Sequence, residues 1–160
     1  MLDPASNTQK FFGGGEVDST AKNVANDLNH HTDDVMCVSI SSDRTTAVSG
    51  QVGSRPTIFT WDATTGEKKE RIKIAKGARG ITAVAMSQDG DYIAAVDLHN
   101  EHQVYCYESN GQSVFKQKGD TNRIFDVAFS AKPGSTRFAT AGTKHIYFWD
   151  AKNGGDKDKG

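Results

Sequence analysis

Cysteine is scarce: Cys37 and Cys106 are the only two in 160 residues. Each lies inside an apolar alternating run, so both read as small buried hydrophobes of a reducing compartment. That argues against a disulfide-stapled fold, although spacing alone leaves a bridge between the two open. No apolar run is long enough for a membrane helix. The opening Met1-Leu2-Asp3-Pro4 lacks the basic and apolar regions of a secretory leader, and there is no Asn-x-Ser/Thr acceptor. An excess of one charge is also missing: 19 Lys and Arg face 20 Asp and Glu, for a net charge of −1. That balance argues against a dedicated nucleic-acid binder and against an acidic tail, while leaving room for a local patch. The expectation is a cytosolic protein with no membrane and no nucleic-acid partner. With 36% hydrophobic residues and 16 glycines the composition is that of a globular chain, and the length suits one domain with a real core.

The motifs of catalysis are missing too. Gly13-Gly14-Gly15 is followed by no Gly-Lys-Ser/Thr, so it is not a phosphate loop. Asp33-Asp34 has no nominated partner acid or base and reads as a turn that caps backbone N–H groups. No nucleophile elbow or Ser/His/Asp order is present. The expected catalytic, metal and cofactor residues are therefore none.

What the chain does have is self-similarity. Val35 to Ser41, Ile81 to Ser87 and Ile124 to Ser130 alternate apolar with small or polar residues, and each ends in serine before a turn. Their starts lie 46 and 43 residues apart. Second strands follow at 45–50, 92–97 and 137–142, and third strands at 57–62, 103–108 and 145–150. Two of the third strands close on Trp-Asp (Trp61-Asp62, Trp149-Asp150) and the middle one on Tyr107-Glu108. Turns follow, among them Asn110-Gly111, a pair that in a two-residue hairpin places both residues at positive φ. A fourth strand is expected from Lys69 to Ala75 and from Ser113 to Lys118. In the third unit only a polar, frayed tail over 151–160 is expected.

Four short antiparallel strands every 40–45 residues, closing on Trp-Asp, match the WD repeat, in which each unit is one blade of a β-propeller. The fold class expected is all-β, with about three four-stranded blades in an incomplete ring over 31–150. Residues 1–30 read as a lead-in carrying outer strands of a preceding blade, at Gln9 to Phe12 and Asn23 to Leu28. Ala21, Val24, Ala25 and Leu28 also fit one face of a helix behind Ser19 or Thr20, and strand is the preferred of the two readings. Three units leave two apolar end faces. The expectation is therefore a piece of a longer protein, or a ring completed by blades from another chain.

His31 and Trp61 occupy the places a WD repeat uses for an internal hydrogen-bonded pair, and Ser49 on the second strand is the expected acceptor for the indole N–H. With Asp62, Tyr107, Glu108, Trp149 and Asp150 these are read as structural positions. One stretch is uneven in charge. Glu67 to Arg79 carries six basic residues, Lys68, Lys69, Arg71, Lys73, Lys76 and Arg79, against two acidic ones. It reads as the protected outer edge of a blade, as a contact for an acidic partner, or as both.

Several segments resemble one WD-repeat family in particular. His31-Thr32-Asp33-Asp34-Val35, Ser49-Gly50-Gln51-Val52-Gly53 and Ile58 to Asp62 are similar to the echinoderm-microtubule-associated-protein-like proteins, as are Ala95 to His102 and Thr143 to Trp149. The likeness runs from Phe11 to Asp150. It implies a non-enzymatic microtubule-associated or axonemal scaffold. Its partners would be tubulin or axonemal proteins, and its location the cytoplasmic cytoskeleton, the ciliary axoneme included. In that family tandem propellers, one incomplete until its neighbour completes it, sit on or near tubulin. The hydrophobic motif expected before Phe11 is absent, and no microtubule-contact residue can be matched to a position here. The competing expectation is a WD-repeat adaptor of another cytosolic complex, without tubulin contact.

Overall fold

The computed structural model describes residues 2–3, 8–9, 30–53, 55–74, 77–153 and 158–159. The strands sought at Gln9 to Phe12 and Asn23 to Leu28, the competing helix, and Lys76 lie wholly or mostly outside these residues. A two-residue hairpin pairs β1 (Leu2–Asp3) with β2 (Thr8–Gln9). The rest of the described chain forms three four-stranded antiparallel sheets, each a simple meander. The first holds β3 (Val35–Ile40), β4 (Thr46–Gln51), β5 (Thr57–Asp62) and β6 (Lys68–Lys73). The second holds β7 (Ile81–Met86), β8 (Tyr92–Asp97), β9 (Val104–Glu108) and β10 (Ser113–Gln117). The third holds β11 (Ile124–Phe129), β12 (Arg137–Gly142), β13 (His145–Asp150) and β14 (Asp158–Lys159).

The sheets repeat down to register. Each first strand shifts register against its second strand at the same place, between Val35 and Cys37, Ile81 and Ala83, and Ile124 and Asp126. A bulge there adds a residue and raises the local twist. Because successive strand residues point to opposite faces, the second sheet, lying between the other two, buries two apolar sides, whereas the third leaves Phe125, Ile146 and Phe148 exposed on its outer side. Val48, Ile58 and Ile72 of the first sheet pack against Val84, Ile93, Ala95, Tyr105 and Tyr107 of the second. Ala83, Ala85, Ala94, Val96 and Cys106 of the second pack against Val127, Phe138, Tyr147 and Trp149 of the third. Both interfaces thus share a polarity: mainly aliphatic and small side chains face forward, joined at the second by Phe115, which stacks with Phe138 and Trp149, and tyrosine or tryptophan side chains from the third strand face back. A further cluster of Ala47, Phe59, Trp61 and Ala63 lies on the backward side of the first sheet.

Two local expectations change. The Asn110-Gly111 turn has only Gly111 at positive φ (87°), not both residues. The connection is longer than two residues: Glu108 N–H donates to the Gln112 carbonyl at 2.8 Å, and Asn110 Oδ1 accepts the Gln112 N–H at 2.8 Å. The side chain therefore holds Asn110 in an ordinary conformation. In the third sheet, the tail expected to be frayed contributes β14, whose Asp158 and Lys159 pair with Phe148 and Tyr147. The unpaired edge of β13 supplies the template that a polar sequence does not advertise.

Candidate functional site

Buried polar groups gather at one end of the sheets, where second strands finish and third strands begin. In the first sheet, Trp61 Nε1–H donates to Ser49 Oγ at 2.7 Å, and the same oxygen lies 2.6 Å from His31 Nε2. His31 Nδ1 meets Gln51 Oε1 at 2.8 Å, and the imidazole stands edge-on to Phe59 with centroids 4.8 Å apart. Desolvation lowers the His31 pKa, opposed by the Gln51 hydrogen bond and aided by nearby His30. The amide oxygen accepts the Nδ1–H and the Ser49 hydroxyl donates to Nε2, so both ring nitrogens are satisfied in the neutral form that burial favours.

The other two sheets solve the same problem with different residues. In the third, Trp149 Nε1–H donates to Thr140 Oγ1 at 3.0 Å, the counterpart of Ser49. Tyr147 Oη–H donates to Asp120 Oδ2 at 2.6 Å, and Asp120 Oδ1 accepts the Asn122 N–H at 2.7 Å. Those two bonds, the tyrosine's first, hold the Asp120 carboxyl at a pKa of about 2. In the second, Tyr105 Oη–H donates to Asp97 Oδ2 at 2.7 Å, while Asp97 Oδ1 accepts the N–H groups of His99 and Gln103. Asp97 takes the place of Gln51. The third sheet has Gly142 there, because a Cβ would strike the Arg123 carbonyl and the His145 ring. A shallow cleft of about 290 Å³ opens beside this network, lined by Asp120, Asn122, Thr143, Lys144, His145, Ile146 and Tyr147.

The acids at the strand ends cap turns. Asp62 Oδ1 accepts the N–H groups of Thr65 and Thr64 at 2.8 Å each, which lowers its pKa. Glu108 accepts from Asn110 Nδ2 at 3.0 Å, and Asp150 accepts from Thr136 Oγ1 and the Lys152 N–H. Burial pushes the thiols of Cys37 and Cys106 up to about 12, which makes them unreactive. Among the described residues, no three His, Cys, Asp or Glu side chains are grouped to hold a metal. No described helix is long and apolar enough to cross a membrane.

These repeated sheets have counterparts elsewhere. Residues 22–62 match the WD domain, G-beta repeat. The crystal structure of RRP9 WD40 repeats superposes with a TM-score of 0.68 at 18% identity, covering 82% of this chain and 40% of that one. The chain is built of WD repeats. Its three sheets are β-propeller blades, and as described they do not close a ring. A ciliary WD repeat-containing protein, ctxp80 of Euplotoides octocarinatus, is 45% identical over 151 residues, 94% of this chain and 21% of that protein. Echinoderm microtubule-associated protein-like 1 of Rattus norvegicus is 27% identical over 129 residues, 74% of this chain and 16% of that protein. The chain thus spans about a fifth or less of the length of these relatives.

Among the described residues, the basic side chains of 67–79 differ in exposure and in partners, and Lys76 lies outside the described residues. Lys69 is exposed and its Nζ donates to Thr46 Oγ1 at 2.7 Å, Lys73 is exposed, and Lys68 is half-buried. Arg71 is half-buried on the face it shares with Phe59. Arg79 is committed to the loop end, where it donates to the Leu98 carbonyl (3.2 and 3.0 Å) and to Asn100 Oδ1 (2.8 Å). It clasps the loop after β8 to the loop before β7. The sequence reading missed Gln51, Asp97, Asp120, Thr140 and Tyr147. Aligning the repeats at the end of the second strand would have exposed the first two.

Proposed function

We infer that this chain is part of a non-enzymatic scaffold of the microtubule cytoskeleton or the ciliary axoneme, with tubulin or axonemal proteins as partners. The observation that carries the reading is the 45% identity to a protein named as ciliary, sustained over nearly the whole of this chain. The likeness to proteins named as microtubule-associated supports it. The geometry suits a scaffold: its buried polar groups are spent on holding blades and turns together. Sheets that repeat in register offer rigid loop ends and rims for protein contacts. Of the basic run, Lys69 and Lys73 are the residues placed to meet an acidic partner, with Lys68, Arg71 and Lys76 beside them in sequence. Arg79 serves the loop clasp first.

The test is location. The tagged chain, expressed in ciliated cells and extracted with detergent, stays with the axonemal fraction if the reading is right. Full release into the soluble fraction by a folded chain overturns it and favours an adaptor of another complex.

A further inference from the structure

The loop from the third strand to the fourth is built differently in the second blade. Its leading acid is Glu108, where the other two blades have Asp62 and Asp150. The shorter acids each cap the N–H two residues on: Asp62 Oδ1 takes that of Thr64 at 2.8 Å, and Asp150 Oδ1 that of Lys152 at 2.9 Å. The matching residue of the second blade is Asn110, and Glu108 Oε2 instead accepts from its side-chain Nδ2 at 3.0 Å. The other end of that carboxamide is held as well, since Oδ1 accepts the Gln112 N–H at 2.8 Å. Between them, the Gly111 N–H donates to the Glu108 carbonyl at 2.9 Å.

Asn110 is exposed, and glycine puts no side chain beside the peptide nitrogen that follows it. That nitrogen, once its proton has passed to solvent base, can attack Asn110 Cγ. The new N–Cγ bond closes a succinimide ring, the Cγ–Nδ2 bond breaks, and Nδ2 leaves as ammonia. Water then opens the ring at either carbonyl, giving aspartate or isoaspartate, with no oxidant or reductant required. Each step runs against a bond of the turn. The Glu108 carbonyl holds the Gly111 proton, and turning the carboxamide over the peptide plane breaks the bonds at both of its ends. The Gln112 N–H polarises the side-chain carbonyl, which helps only a carboxamide already in the attacking position.

We propose that Asn110 is a latent site of succinimide-forming deamidation, and that the Glu108 side chain is the catch that keeps it closed in the folded blade. Release of the catch has structural consequences. Aspartate at position 110 sets a second carboxylate against Glu108, where an amide donor now sits. Isoaspartate routes the main chain through Cβ and Cγ and lengthens a loop now closed by the bond from Glu108 N–H to the Gln112 carbonyl. Either product loosens the start of β10. A Cβ on Gly111 would lie 3.5 Å from Ile72 Cγ1 of the first blade, so the disturbance reaches the junction between blades. The proposal is independent of whether the protein meets microtubules.

The test incubates the folded chain at mildly alkaline pH and reads deamidation at Asn110 by peptide mass mapping, resolved from Asn153-Gly154, the other Asn-Gly pair. The same chain unfolded in urea gives the unprotected rate. Asn110 should react about tenfold or more slowly in the folded chain than in urea. Glu108→Asp installs the residue type with which the other two blades fold, one too short for the same reach, and should raise the folded rate at least about fivefold with native tryptophan emission. Glu108→Gln keeps an oxygen that can accept from Nδ2 and should stay slow. A folded wild-type chain that deamidates at the urea rate overturns the proposal. So does a folded Glu108→Asp chain at the wild-type rate. Should Glu108→Asp unfold, Glu108→Gln decides, and folded Glu108→Gln at the urea rate overturns the catch.

Discussion

Replacing Ser49 with alanine removes one oxygen that serves two buried groups. Ser49 is 6% exposed, takes the Trp61 N–H at 2.7 Å and lies 2.6 Å from His31 Nε2. A buried donor deprived of its acceptor costs about 1–3 kcal/mol, and loss of the imidazole contact about 1 kcal/mol more. The expected destabilisation is about 2–4 kcal/mol, equivalent to a fall in Tm of roughly 6–12 °C for a chain of this size. Urea unfolding followed by tryptophan fluorescence reads it directly, with an unchanged m-value showing that only stability has moved. Thr140→Ala, which removes a single bond to Trp149, should cost less, about 1–2 kcal/mol. Because His31 and Ser49 share the bond, a double-mutant cycle with His31→Ala should show a coupling of at least about 0.5 kcal/mol. A Ser49→Ala loss below about 0.5 kcal/mol, or strict additivity, refutes the account of this network.

Further expectations follow from neighbouring sites. Gly142→Ala should destabilise by about 1–3 kcal/mol, since the added Cβ meets the Arg123 backbone and the His145 ring; a neutral melt would show that the loop yields. Arg44 sits at φ 61° where the second blade has Gly90, so Arg44→Gly should leave stability unchanged or raise it by up to about 1 kcal/mol, and a clear loss would contradict the strain. Tyr147→Phe removes the first cause of the low Asp120 pKa, so carboxyl NMR should show that pKa rising from about 2 toward the ordinary value. A carboxylate whose folded pKa is depressed stabilises above its unfolded pKa and loses that contribution as pH falls through the folded value. Wild type should therefore lose more stability than Tyr147→Phe across the acid range, and parallel curves would contradict this. His31 runs the other way in charge: burial lowers its pKa, so the unfolded chain binds the proton first as pH falls below the ordinary histidine value. Wild type should lose stability between pH 7 and 5 more steeply than His31→Gln, and equal slopes would sink the assignment.

The blades were readable because a half-buried strand must alternate, and alternation with a repeat of 42–46 residues survives without any single conserved motif. Ser49, His31 and Trp61 were readable because one blade keeps the usual residue types. The other polar centres were not, since each blade meets the same burial problem with a different chemistry: Gln51 with His31, Asp97 with Tyr105, Asp120 with Tyr147. A change from amide to carboxylate to glycine at one repeat position hides the position from any search by residue type. Turn geometry depended on loop length and on where Asn110 sends its side chain, which composition does not report. Charge counting overstated the basic rim, because Arg79 points to a carbonyl across the loop end rather than along the edge.

The most direct measurement is co-sedimentation of the folded chain with microtubules across a salt series, with circular dichroism confirming β structure beforehand. The scaffold reading in its tubulin-binding form predicts pelleting that weakens with salt, and that weakens further when Lys69 and Lys73 become glutamate. Folded chain that stays in the supernatant at low salt contradicts direct tubulin binding.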